Sequence, residues 1–272
     1  MRVLWVCNIM LPVIAEALHR EASNKEGWLS GLLSQVVARE DTDMTLAVAF
    51  PAPADAEAPW RLRVPVPRTK SCATDEYNIT CYGFREDTVH PDRYQPKLEE
   101  ELRKITEDYD PDVIHCFGIC SLCAEAYFAD LPERVTRKVT FRDLVKRDSL
   151  RSQQEKFARR GVMEREAIGL AGNITGRTAW DREVTTGWNP GAQYYPMNET
   201  LRASFYEGSW DPEHCEPHSI FVSQGDYPLK GLHYLLKALP GIRRKFPDVQ
   251  VYVAGKDLTA YHTLKQKLKI SA

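Results

Sequence analysis

Cys116, Cys120 and Cys123 stand in the run CFGICSLC with the spacing C-x3-C-x2-C. Three thiolates so placed on a loop suit a soft metal, and the spacing is one with which radical enzymes hold an iron–sulfur cluster. Yet the triplet sits in mid-chain after an apolar run, and no barrel-like series of repeated units follows it. Free cysteine is also a common small buried residue. Packing is therefore the preferred reading, and no metal is expected. His115 lies just before the triplet, at the carboxyl end of VIHCF and ahead of Gly118. In an open parallel sheet that edge is where ligands bind. A histidine there can act as a base, hold a substrate hydroxyl or satisfy a local hydrogen bond, and the spacing leaves all three open.

Two glycine-bearing loops could receive an anion. In NKEGWLSG, Gly27 and Gly31 permit close backbone approach near a helix start, where amides attract phosphate, although the dinucleotide-binding spacing G-x-G-x-x-G is absent. The alternative is a glycine turn with Trp28 packed inside. In SIFVSQGDYPLKG, an apolar strand leads through Gly225 and Pro228 to Lys230, at the first turn of a helix. An ammonium and free backbone amides would converge there on a volume that suits a diphosphate. An ordinary exposed lysine fits the same residues. The cluster Arg243, Arg244 and Lys245 reads as the solvated face of that helix.

The elements that must position these residues are short apolar runs alternating with longer helical segments, the pattern of a parallel sheet with crossover helices. The runs are VLWVC, MTLAVAF, VIHCF, KVTF, NITG, QYYP, SIFVS and VQVYVAG. PKLEEELRKITEDY and RSQQEKFARRGVMEREAIGLAG read as amphipathic helices. WRLRVPVP and YNITCYGF read as strands at a sheet edge. Residues 1–203 thus make one doubly wound, Rossmann-like α/β domain. Residues 204–272 hold a linker and the start of a second strand–helix–strand unit, with Leu232, Leu235, Leu236, Leu239 and Ile242 on one helix face and Pro240 expected to kink or end the helix. Two strands cannot bury a domain-sized core, so this second domain is expected to be only partly present, in a truncated chain.

A net charge of -2 gives no broad electrostatic reason to bind nucleic acid. Asn8 and Pro12 interrupt the N-terminal apolar run, which reads as a buried strand, not a signal peptide. Seven cysteines without an export signal point to reduced thiols in the cytoplasm.

The stretch FVSQGDYPLKGLHYLLKALPGIRRKFPDVQVYVAG resembles the opening of the donor domain of GT-B glycosyltransferases of family 4. PDVIHCFG, EREAIGLAGNITGRTAWDRE and YYPMNETLR are similar to parts of the acceptor domain of bacterial members in polysaccharide pathways. The resemblance implies a GT-B fold and retaining sugar transfer from a nucleotide-diphosphate sugar to the hydroxyl of a glycan or lipid-linked acceptor. It implies no cofactor or bound metal, and a place in the cytoplasm that includes the inner face of the membrane. By position, Lys230, Gly225 and Gly27 would bind the donor and its diphosphate, and His115 would be the catalytic candidate. Arg177, Thr178, Asn198 and Arg142 would line the cleft.

Departures from the family pattern are Gln224 where an arginine is usual, Phe117 where a second histidine is common, and Arg142–Asp143 in place of a His or Gln followed by Gly. The Glu-x7-Glu region is missing, so the fragment is expected to be inactive alone. Two other classes stay open: a non-catalytic sugar- or nucleotide-binding module, and the iron–sulfur radical enzyme.

Overall fold

The computed structural model describes residues 1–22, 27–39, 43–53, 61–68, 76–90, 92–118, 139, 141–146, 149–201, 204–225 and 231–255. Contacts divide the chain into two units, Met1–Gly208 and Ser209–Ala272.

The first unit is an α/β structure around a mixed five-stranded sheet. Its strands are β1 (Arg2–Val6), β2 (Thr45–Pro51), β3 (Arg61–Pro67), β4 (Glu76–Phe84) and β5 (Val113–Cys116), in the order β3-β4-β2-β1-β5. β1 pairs in parallel with β2 and β5, and β2 in parallel with β4, whereas β3 is antiparallel to β4. β1 and β2 are near-continuous apolar runs because both of their faces are covered. Val3, Trp5, Val48 and Phe50 meet Leu11, Ile14, Leu29 and Leu33 of the N-terminal helical region on one face. That region holds α1 (Pro12–Ala17) and α2 (Gly27–Val37). Leu4, Ala47 and Ala49 meet Ile105 and Tyr109 of α3 (Pro96–Tyr109) on the other face. α3 starts on a proline whose missing N–H costs nothing at a helix start, and it stops at Asp110 in the left-handed region (φ 51).

The two edge-strand expectations part company. β3 is an edge strand, alternating with Val64 and Val66 buried and Pro65 and Pro67 exposed, so its prolines cost the sheet no ladder bond. β4 is interior, between β3 and β2, because Ile79, Cys81, Tyr82 and Phe84 bury both of its faces.

After β5 come α4 (Phe141–Lys146), α5 (Leu150–Leu170), β6 (Asn173–Gly176), α6 (Ala179–Trp188), β7 (Gln193–Pro196) and α7 (Ser204–Glu207). KVTF does not supply the expected strand end: Val139 is in no strand and Phe141 begins α4, whose first turn carries Asp143, a charge that suits a helix N-terminus. β6 and β7 pair in parallel as a sheet of their own. Among the described residues, the single continuous sheet expected of residues 1–203 is therefore two sheets.

The second unit holds β8 (Ser219–Val222), α8 (Leu232–Lys245) and β9 (Gln250–Val253), with β8 and β9 parallel. α8 runs through Pro240 instead of ending there. The carbonyl that loses its bond belongs to Leu236, which is 52% exposed and open to water. Leu232, Leu235, Leu239 and Ile242 form the half-buried face, from which Leu236 is excluded. Among the described residues no helix is long and apolar enough to cross a membrane.

Candidate functional site

The chain leaves β1 toward β2 on one side of the sheet and returns to its other side as β5, so strand order reverses between β1 and β5. In open α/β sheets the crevice outside the carboxyl ends at such a reversal is the usual ligand site. Here it is formed by Cys7 and Asn8 after β1 and by Phe117 and Gly118 after β5. The Phe117 amide extends the ladder by donating to the Val6 carbonyl at 2.9 Å. Gly118 has φ 100, and a Cβ on it would sit 2.8 Å from Nδ2 of Asn8, so the backbone turns where a side chain does not fit. A cleft of about 200 Å³ opens at this edge, its apolar walls including Phe84, Leu98, Leu102 and Phe117, with Asn8 and Glu86 as polar groups. Burial pushes the Glu86 carboxyl above its ordinary range, opposed by the nearby charge of Arg160.

His115 is half-buried one residue before the end of β5. Its ring stacks on Phe117 with centroids 4.1 Å apart and planes at 25°. Burial lowers its pKa below 6.5, so the ring is neutral at pH 7 and able to accept a proton. Phe117 also meets Trp5 and Trp28 edge-on, at 5.2 and 5.6 Å. Where the resemblance leads one to expect a second histidine, Phe117 is thus an aromatic clamp on the first. Cys7 has its thiol pushed up to about 12 by burial and by neighbouring Cys116, which makes it a poor nucleophile and a poor thiolate ligand. Cys120 and Cys123, and with them the cluster spacing, lie outside the described residues.

Arg177 and Thr178 follow β6. Thr178 is the N-cap of α6: its Oγ1 accepts from the Asp181 amide at 3.0 Å, and Asp181 Oδ2 accepts from the Thr178 and Arg177 amides at 2.9 and 3.0 Å. The hydroxyl is thus committed to a capping box. The Arg177 guanidinium pairs with Glu199 at 2.9 Å, and its charge also helps to lower the pKa of Asp181. Asn198 is exposed and lies six residues before α7, too far to cap it. Arg142 falls within α4, its side chain outside the description.

Gly27 is the first residue of α2. One turn on, a Cβ at Gly31 would lie 2.9 Å from the Leu201 carbonyl oxygen and from Thr200 Oγ1. Thr200 in turn donates to the Trp28 carbonyl at 2.8 Å. The glycines of this loop therefore serve, at Gly31, close packing of the chain that follows β7. In the second unit the Gly225 amide donates to the Ala254 carbonyl at 2.8 Å, and a methyl there would run into Val253 and Leu232. Gly231 caps α8 in the left-handed region (φ 80) without any side-chain cap. Lys230 lies outside the described residues.

The structure therefore groups His115 with Phe117, Gly118 and Asn8, and Arg177 with Glu199. Asn8 and Glu86 were not singled out as site residues from sequence. The position of Asn8, immediately past the first strand of a parallel sheet, is a signal that could have found it. No protein-family model matches this chain, and no curated protein matches it.

Proposed function

We propose that the protein is a glycosyltransferase of the GT-B, family 4 type, with the first unit on the acceptor side and the second on the donor side. The carrying observation is the strand–helix–strand of the second unit: Gly225 is pinned under Ala254, and α8 starts at a left-handed glycine that supplies no side-chain cap of its own. Amides so left open favour an anion, and Lys230 would add a cation for a diphosphate. The switch point of the first unit, with a neutral and partly buried His115, supports a ligand-facing edge there as well.

In the reaction, the bond between the anomeric carbon and the diphosphate oxygen breaks, a bond to the acceptor oxygen forms, and the acceptor hydroxyl passes its proton to an oxygen of the departing diphosphate. The leaving diphosphate takes up negative charge, which Lys230 and the α8 amides would meet. The donor is a nucleotide-diphosphate sugar, and the acceptor a glycan or lipid-linked hydroxyl.

Thermal unfolding in the presence of a panel of nucleotide sugars tests this reading. One donor should raise Tm, since a ligand that binds only the folded state stabilises it, and Lys230→Ala should abolish that rise. Stabilisation by a sugar or nucleoside that lacks the diphosphate, unchanged in Lys230→Ala, would reassign the protein to the non-catalytic binding modules. No response to any nucleotide sugar or nucleoside diphosphate would end the proposal.

A further inference from the structure

A second cleft, of about 310 Å³, lies within the first unit between the segment after β4 and α5, and is lined by Thr88, Val89, Asp92, Gln153, Lys156, Phe157 and Arg160. The last four stand at i, i+3, i+4 and i+7, one continuous face of α5. That face buries Ile168 two turns further on, where an apolar residue is expected. At the cleft it instead presents two cations one turn apart around a half-buried ring, with the Arg160 guanidinium 6.0 Å from the Phe157 centroid. Like charges at i, i+4 repel, a cost that a bound anion removes.

The acidic groups nearby are already engaged. Asp92 takes Arg159 through Nη2 at 2.7 Å and Nε at 2.8 Å, which ties the loop to the helix and neutralises the one carboxylate in the lining. Glu86 faces Arg160, whose charge opposes the effect of burial on its carboxyl. The opposite wall carries hydrogen bonds of its own. Asp87 Oδ1 accepts from the Val89 and His90 amides at 2.8 and 3.1 Å, and the Asp87 amide donates to Gln95 Oε1 at 2.7 Å.

We propose that this cleft binds a phosphate monoester, with Lys156 and Arg160 on the phosphate oxygens, the Thr88 hydroxyl as a further donor, and the organic part against Phe157. A phosphate is favoured because a guanidinium fork, an ammonium and a hydroxyl together match several oxygens on one centre. The volume suits a compact ligand. The proposal does not depend on the nucleotide-sugar reading, which concerns α8.

Calorimetric titration of the full chain with phenyl phosphate tests it. Saturable one-to-one binding is expected, weakened about tenfold by Lys156→Gln and by Arg160→Gln, as loss of a charge-assisted hydrogen bond implies. Lys104→Gln, which removes a cation paired with Glu100 on α3, should leave it within about twofold. Circular dichroism of each variant reports whether the fold is kept. Cosedimentation with phosphatidic-acid vesicles separates the sources: pelleting that Lys156→Gln abolishes assigns a lipid headgroup, and phenyl phosphate binding without pelleting assigns a soluble ester. Absence of saturable binding, or equal affinity in wild type and both cleft variants, would overturn the proposal.

Discussion

The imidazole of His115 lies against the ring of Phe117, centroids 4.1 Å apart, at the point where strand order reverses. Burial disfavours the imidazolium, so the folded-state pKa lies below the unfolded value near 6.5. The unfolded chain then binds the proton first as pH falls. Stability should be level above about pH 6.5 and should decline as pH drops through the folded pKa. His115→Phe keeps a stacked ring that cannot be protonated, and its unfolding free energy should lose this share of the decline. Ring-proton NMR of the wild type gives the pKa directly, and a value at or above 6.5 would contradict the burial account.

Gly118 is the residue whose substitution separates backbone strain from steric conflict. At φ 100 an alanine is strained in any surroundings, and here its Cβ also meets Asn8. Gly118→Ala should cost about 1–3 kcal/mol in urea unfolding. Adding Asn8→Ala removes the clash but not the strain, so the double variant should recover only part of the loss. Full recovery would show that the turn itself is unstrained.

At the start of α6, Thr178→Ala should cost about 1 kcal/mol by removing the N-cap hydroxyl. Its partner Asp181 is pushed up by burial but brought net below its ordinary range by hydrogen bonds from Thr178 and Arg177. A lowered carboxyl pKa contributes stability that is present above the unfolded value near 3.8 and lost as pH falls through the folded one. Asp181→Asn should therefore lie closer to wild type in acid than at pH 7. Equal destabilisation at both pH values would mean that the carboxylate charge plays no part in the cap.

What the sequence made legible is what local pattern controls. β1 and β2 are readable because a strand covered on both faces must be apolar throughout, β3 because alternation and proline mark an edge, and α3 because its proline and charge periodicity are local. The position of β4 inside the sheet depends on what packs over Ile79 and Tyr82, which no short window contains. His115 and the reversal edge could be anticipated from the strand run and the following glycine. That Arg177 pairs with Glu199 could not, because β6 and β7 must first pair to bring Glu199 near. Lys156 and Arg160 look like any solvated helix face until the Asp92–Arg159 pair shows what stands opposite.

Asn189 joins three segments of the first unit through one side chain. Its Nδ2 donates to the Ile168 and Ala171 carbonyls at 2.7 and 2.9 Å, at the end of α5, while its Oδ1 accepts from the Gly191 amide at 3.2 Å ahead of β7. The Ile168 carbonyl also accepts from the Ala171 amide at 3.1 Å, so loss of Asn189 strips the Ala171 carbonyl, and leaving a part-buried helix-end carbonyl unsatisfied costs about 1–3 kcal/mol. Asn189→Ala should lower stability by an amount in that range. Asn189→Asp should be worse at pH 7, since a carboxylate sets an acceptor against two acceptors, and should improve in acid as the protonated group regains a donor. Unfolding free energies of both variants at pH 7 and pH 4 decide the matter. If the aspartate variant matched wild type at pH 7, the donor role of Asn189 would be excluded.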